Sequence, residues 1–143
     1  MNALNFPPSL QELTSEFEDM FDWDERYDYL IDLGKQLPSL SDTEQSDENL
    51  VRGCMSTVWL VTDVDAQDHM RIRADSDSLI VKGLIVVLLA IFDNRKPAEI
   101  AVTDEMEVFR KLGMDQHLSP QRRNGLFAMV KRVKQLAIEH SAK

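Results

Sequence analysis

Cysteine occurs once in this chain of 143 residues, at position 54. A lone thiol closes no disulfide within its own chain and builds no cysteine-ligated zinc or iron-sulfur centre. Any chemistry it has therefore involves a partner molecule or the thiol itself. Histidine is almost as scarce, and His69, His117 and His140 are scattered without the spacing of a metal site. Long apolar runs are also missing. The most apolar stretch, 79–92, is interrupted by Lys82 and Gly83 and is too short for a bilayer span, so it reads as a core helix. Basic residues are outnumbered 16 to 25, and the net charge of −9 argues against a phosphate-tracking nucleic-acid binder or a protein held on an anionic membrane. The opening residues MNALNFPPS carry no basic residue before an apolar segment and no cleavage pattern. With one free thiol, the expected compartment is the cytoplasm. There is no internal repeat, low-complexity tract, glycine-rich phosphate loop or heptad run.

What is present suits one domain over residues 1–143, since 43% hydrophobic residues in a chain of this length bury a single core without staples. Charge is segregated along it. Residues 1–48 carry a net −11, residues 49–109 a net −4 and residues 110–143 a net +6. Most of these charges read as solvated helix faces that attract one another in the folded domain. A sharper reading makes the basic C-terminal segment a docking face for an acidic protein partner.

Ser9 and Glu12 form a capping box, and Leu10, Leu13, Phe17 and Phe21 follow at helical spacing, predicting a short helix that ends near Asp19 to Phe21. Asp22 caps a second helix with Trp23, Tyr27, Leu30 and Ile31 on its apolar face, ended by Leu37-Pro38. Residues 39–48 are an acidic connection with almost nothing to bury. β-branched and aromatic residues from Ser56 to Asp63 predict a strand, Asp65 to Asp68 a turn, and the alternation from Met70 to Asp75 a second, antiparallel strand. Asn49 to Arg52 is a candidate third strand, which would leave Gly53-Cys54 at a reversal on the sheet rim. Asp77 or Ser78 caps the apolar helix running to about Asp93, closed by Asn94 to Pro97. Because it is apolar almost all round, that helix should be central. Thr103 or Asp104 opens a helix over 105–112 that Gly113 ends. Ser119-Pro120 then opens a long last helix to about His140, with Leu126, Met129, Val130, Val133 and Ala137 facing the core.

A thiol that accepts and passes on a group needs access, a flexible loop and walls that exclude water. Gly53 supplies backbone freedom next to Cys54, and Arg52 offers a positive charge that lowers a thiol pKa, while burial pushes the other way. The strand bearing Val58, Trp59 and Leu60 anchors the loop. Arg122 projects onto the apolar sector of the last helix in its first turn. It either meets a carboxylate such as Asp75 or Asp77 or is free to hold an incoming anionic sulfur group, whereas Arg123 reads as exposed. A hydrolase reading would pair Cys54 with His69 or His117 as base, with nothing local to support it.

Several of these residues form an ordered set. Pro38, the acidic connection, Gly53-Cys54-x-Ser56-x-Val58-Trp59, Asp75-Ser76-Asp77, Ile80-Val81-Lys82-Gly83-Leu84 and His117-Leu118-Ser119-Pro120-x-Arg122-x-x-Gly125-Leu126 run in register from about Ser9 to the last helix. In this the chain resembles the SufE family of sulfur-acceptor proteins. The resemblance implies an α+β fold, a small antiparallel sheet of about three strands packed with helices, similar to the U-type iron-sulfur scaffolds. It implies a sulfur-transfer accessory protein that is not an independent catalyst. Such a protein docks on a pyridoxal-phosphate-dependent cysteine desulfurase, of the SufS type or a paralogue, and stimulates it. It accepts persulfide sulfur on its own cysteine and delivers it to an iron-sulfur scaffold. The cofactor is expected on the desulfurase and none on this chain. The acceptor cysteine falls on Cys54, the arginine of the last helix on Arg122 and an acidic position near the loop on Asp77, with Arg52 and Gly53 in support. Met55 stands where a polar residue, often glutamine, is usual. The alternative from another class is a regulatory or adaptor domain that binds a desulfurase or other enzyme by its surface alone.

Overall fold

The serine and aspartate caps read from the sequence start the helices of the computed structural model, which describes residues 6–142. Residues 1–5, on which the reading of an absent export signal partly falls, lie outside the described residues. Helix α1 (Leu10–Glu18) begins at the capping box, where Ser9 Oγ accepts from Glu12 N at 3.1 Å and Glu12 Oε1 from Ser9 N at 2.9 Å. Helix α2 (Trp23–Gly34) is capped by Asp22. It ends at Gly34, and a tighter turn, with Gln36 N donating to Leu33 O at 3.0 Å and Leu37 N to Gly34 O at 3.1 Å, carries the chain on to the expected Leu37. Phe21, placed by spacing on the α1 face, is 93% exposed, since α1 stops at Glu18 and the chain bends before reaching it.

The sheet is a hairpin, β1 (Val58–Val64) paired antiparallel with β2 (Met70–Ser76), in a register from Val58 opposite Ser76 to Val64 opposite Met70. Asp65 closes the turn by accepting from Gln67 N and His69 N at 2.9 and 3.0 Å. The expected third strand at Asn49 to Arg52 contracts to one bridge between Leu50 and Trp59. Asp47–Asn49 on one side is a 3-10 turn and Gly53 on the other turns the chain away, so only Leu50 and Val51 stay extended.

Helix α3 (Leu79–Phe92), capped by Ser78, is buried from Gly83 to Leu89 and again at Ile91 and Phe92. An all-round apolar helix must be covered on every side. Here α1, α2, β2 and α7 (Pro120–Ser141) provide the cover. The expected core face of α7, Leu126, Met129, Val130, Val133 and Ala137, is buried throughout. Two short helices join what the sequence suggests, α4 (Pro97–Ala101) after the proline and α6 (Met114–His117) after Gly113, flanking the predicted α5 (Glu105–Leu112).

The acidic connection is tied down rather than loose. Leu40 is buried and its N–H donates to Asp75 Oδ2 at 3.3 Å, and Glu44 pairs with Arg73 of β2. The hydrogen bonds from Arg73, with help from Ser41 N, lower the Glu44 pKa to about 2. A carboxylate depressed in the fold contributes stability that is present above its ordinary pKa and lost as pH falls toward the folded one. An NMR titration should therefore place Glu44 near 2, with Arg73→Ala raising it toward the ordinary carboxylate range.

Gly34 and Gly83 let α2 and α3 cross backbone to backbone. A methyl on Gly83 would lie 2.9 Å from Leu30 O, and one on Gly34 2.8 Å from Gly83 N. Neither obstacle is a side chain that can turn aside. Gly83→Ala should cost about 1–3 kcal/mol in urea unfolding. Gly125→Ala, whose methyl meets nothing nearer than Cys54 Sγ at 3.8 Å, should be neutral or slightly stabilising.

Candidate functional site

The loop that carries the thiol is held at both ends. On its N-terminal side Val51 N donates to Val58 O at 2.8 Å. On its C-terminal side Thr57 N donates to Asp77 Oδ1 at 3.3 Å, while Asp77 N at 3.4 Å and Ser76 Oγ at 2.7 Å donate to Thr57 O. Residues 52–56 form the span between these anchors. Within it Gly53 has φ +94°, a left-handed conformation that strains any residue with a Cβ. Asp77 thus serves the site by pinning the strand that follows the cysteine.

Cys54 is half-buried, and its Sγ donates a long hydrogen bond to Gly125 O of α7 at 3.5 Å. It lies on a cavity of about 210 Å³ whose other walls include Val58 of β1, Val81 and Leu84 of α3, and Met129 of α7. Met55 lines the same cavity yet is 79% exposed at the loop tip. Burial pushes the Cys54 thiol up from its ordinary pKa. Sequence reasoning set Arg52 against burial, and burial wins. Arg52 is exposed and lines a different hollow, where water screens its charge, whereas the thiol itself has lost solvent.

Arg122 lines the cavity together with Cys54. The carboxylates expected to meet it are engaged elsewhere. Asp75 is 5% exposed and pairs with Lys82 at 3.6 Å while accepting from Leu40 N and Ser76 N, and Asp77 clamps Thr57. Among the described residues Arg122 has no ion-pair partner, and its guanidinium lies 5.9 Å from the centre of the Tyr27 ring. Arg123, expected to be exposed, is half-buried and caps the preceding turn by donating to Asp115 O at 3.1 Å and Leu118 O at 3.5 Å. Gly125 and Tyr27 were not foreseen as parts of the site. A glycine inside a helix was the available signal for the first, since it marks a close approach by another segment.

No histidine lines the cavity. His117 stacks on Trp23 with ring centres 4.8 Å apart, His69 Nδ1 lies 3.0 Å from Asn94 Oδ1, and His140 Nε2 lies 3.0 Å from Thr62 Oγ1. Among the described residues no three His, Cys, Asp or Glu side chains are grouped to hold a metal ion, and no helix is long and apolar enough to cross a membrane.

Because the chain has a single cysteine, its ionisation is directly readable. The rate of Cys54 alkylation by iodoacetamide should rise with a midpoint at higher pH in the native protein than in urea-unfolded chain, since the buried site disfavours the thiolate. A native midpoint below the unfolded one would mean that a neighbouring guanidinium outweighs burial.

Comparison with known proteins gives the chain a family and its fold a relative. Residues 11–137 match the SufE family model, described as an Fe-S metabolism associated domain. An uncharacterized SufE-like protein of Rhizobium etli is 42% identical over 135 residues, covering 92% of this chain and 91% of that protein. Another, from Rhizobium meliloti, is 42% identical over 129 residues, covering 88% of this chain and 92% of its own. In fold, the chain is similar to the solution structure of a hypothetical protein from Thermus thermophilus, with a TM-score of 0.76 at 17% identity over 96% of this chain and 98% of that one. With the domain matched along most of its length and relatives this similar end to end, the chain belongs to the SufE family.

Proposed function

We propose that this protein is a sulfur acceptor and carrier that takes persulfide sulfur from a pyridoxal-phosphate-dependent cysteine desulfurase onto Cys54, stimulates that enzyme, and passes the sulfur to an iron-sulfur cluster scaffold in the cytoplasm. The observation that carries this reading is the lone thiol on a five-residue, glycine-hinged span, pinned at both ends and half-buried over an apolar cavity. Membership in a family associated with Fe-S metabolism supports it. The partners are proteins, with no role for nucleic acid or membrane.

The transfer needs no external oxidant or reductant. The Cys54 thiolate attacks the outer sulfur of the desulfurase persulfide. A new S–S bond forms on Cys54 as the old one breaks, and the desulfurase cysteine leaves as a thiolate that takes up the proton Cys54 gave away. Burial keeps the resting thiol protonated and quiet. Docking draws residues 52–56 outward about Gly53, with Asp77 holding Thr57 in place, and the thiol ionises once it reaches water. Arg122, without a carboxylate of its own, offers its guanidinium to the anionic persulfide when it returns to the cavity. The apolar walls shield the loaded sulfur from other thiols.

Incubated with a cysteine desulfurase and cysteine, the protein should gain one sulfur atom by intact-mass spectrometry, located on Cys54 and removed by dithiothreitol. Cys54→Ser should gain none and should lose stimulation of desulfurase turnover. A Cys54→Ser protein that stimulates as well as the parent would instead establish an adaptor, and ester or amide turnover without any partner a hydrolase.

A further inference from the structure

The loop bearing Cys54 separates two hollows. Cys54 and Met55 face the cavity described above, whereas Arg52 and Gly53 form one wall of a separate groove of about 610 Å³ between the loop and the outer side of α7. Its lining includes the apolar side chains of Val51, Phe127 and Ala128 and three cations, Arg52, Lys131 and Arg132. None of the three has a carboxylate within ion-pair distance among the described residues, so their charge is open to a visitor. Arg132 Nε is buried without a hydrogen-bond partner. Asp47 and Glu48 belong to the lining as well, but neither reaches a cation of the groove. The groove continues along α7 into a furrow that shares Phe127 and Lys131 and adds the exposed side chains of Met106 and Ile138.

Three cations gathered around one apolar surface form a local positive patch in a chain of net charge −9. Their position matters more than their number, because Gly53, the hinge of the cysteine loop, is part of the groove wall. A methyl on Gly53 would come within 3.4 Å of Ala128 Cβ, so anything seated here meets the hinge directly.

We infer that this groove is the seat for an acidic, partly apolar segment of the cysteine desulfurase, which binds behind the loop while the persulfide meets Cys54 in front of it. The inference rests on the proposed carrier function and adds the surface that recognises the donor. Complementary charge would speed the encounter and make it sensitive to salt. Contact with Arg52 and Gly53 would press on the hinge at the moment of transfer, coupling docking to the outward movement of Cys54.

The test follows sulfur loading of Cys54 by intact mass in two ways, from each purified cysteine desulfurase of the source cell with cysteine, and from inorganic polysulfide with no protein donor. Lys131→Glu and the double variant Lys131→Glu/Arg132→Glu are compared with the parent and with Lys96→Glu, which makes the single variant's charge change outside the groove. The groove variants should load from the desulfurase roughly tenfold or more slowly at low salt. They should also lose the steep slowing that the parent shows toward about 0.5 M salt. Loading from polysulfide should match the parent, showing that fold and thiol are intact, and Lys96→Glu should behave as the parent does. Groove variants with the parent's rate and salt dependence, or a Lys96→Glu protein slowed as much as they are, would overturn the inference while leaving the carrier function standing. A parent that polysulfide loads and no desulfurase does would overturn both.

Discussion

Helix α3 is apolar on every side, and most of the architecture follows from the need to cover it. The hairpin, α1, α2 and α7 each supply part of that cover. At Gly34 and Gly83 two backbones meet with no room for a methyl group. The cysteine cavity lies where cover from three elements converges. Val81 and Leu84 of α3, Val58 of β1 and Met129 of α7 form walls that β1 and the two helices bring together. The site is therefore a corner of the core that opens toward a loop, which explains why it is apolar and why its thiol is held neutral.

Electrostatics at the site follows from exposure rather than from distance along the chain. Arg52 is two residues from Cys54, yet it points into the opposite hollow and remains in water, so it does little for the thiol. Arg122 is 68 positions away in sequence and lines the same cavity. It keeps its charge uncommitted because Lys82 and Leu40 occupy Asp75 while Thr57 occupies Asp77. Those two acids hold the frame around the loop, and among the described residues the arginine has no carboxylate partner.

Most element boundaries and most of the core were legible in the sequence because they are local. The capping residues Ser9, Asp22, Ser78, Asp104 and Ser119 satisfy amide groups within one turn, and the buried face of α7 repeats at the helical period. Phe21 shows where periodicity misleads, since the spacing continued after the helix had ended. The third strand failed for a related reason. Extended residues at Leu50 and Val51 were too few between a 3-10 turn and a left-handed glycine to build more than a bridge.

By itself the sequence determined that there is one thiol, that a glycine precedes it and a rigid strand follows it, and which ordered residues the chain shares with a sulfur-acceptor family. These are properties of the covalent chain and its near neighbours. Only the tertiary structure decided that Cys54 is half-buried against Gly125, that Arg122 rather than Arg52 shares its cavity, and that Asp75 and Asp77 are already spoken for. Each of those outcomes depends on which distant segments compete for the same partner or the same space, and that competition is settled when α3 is buried.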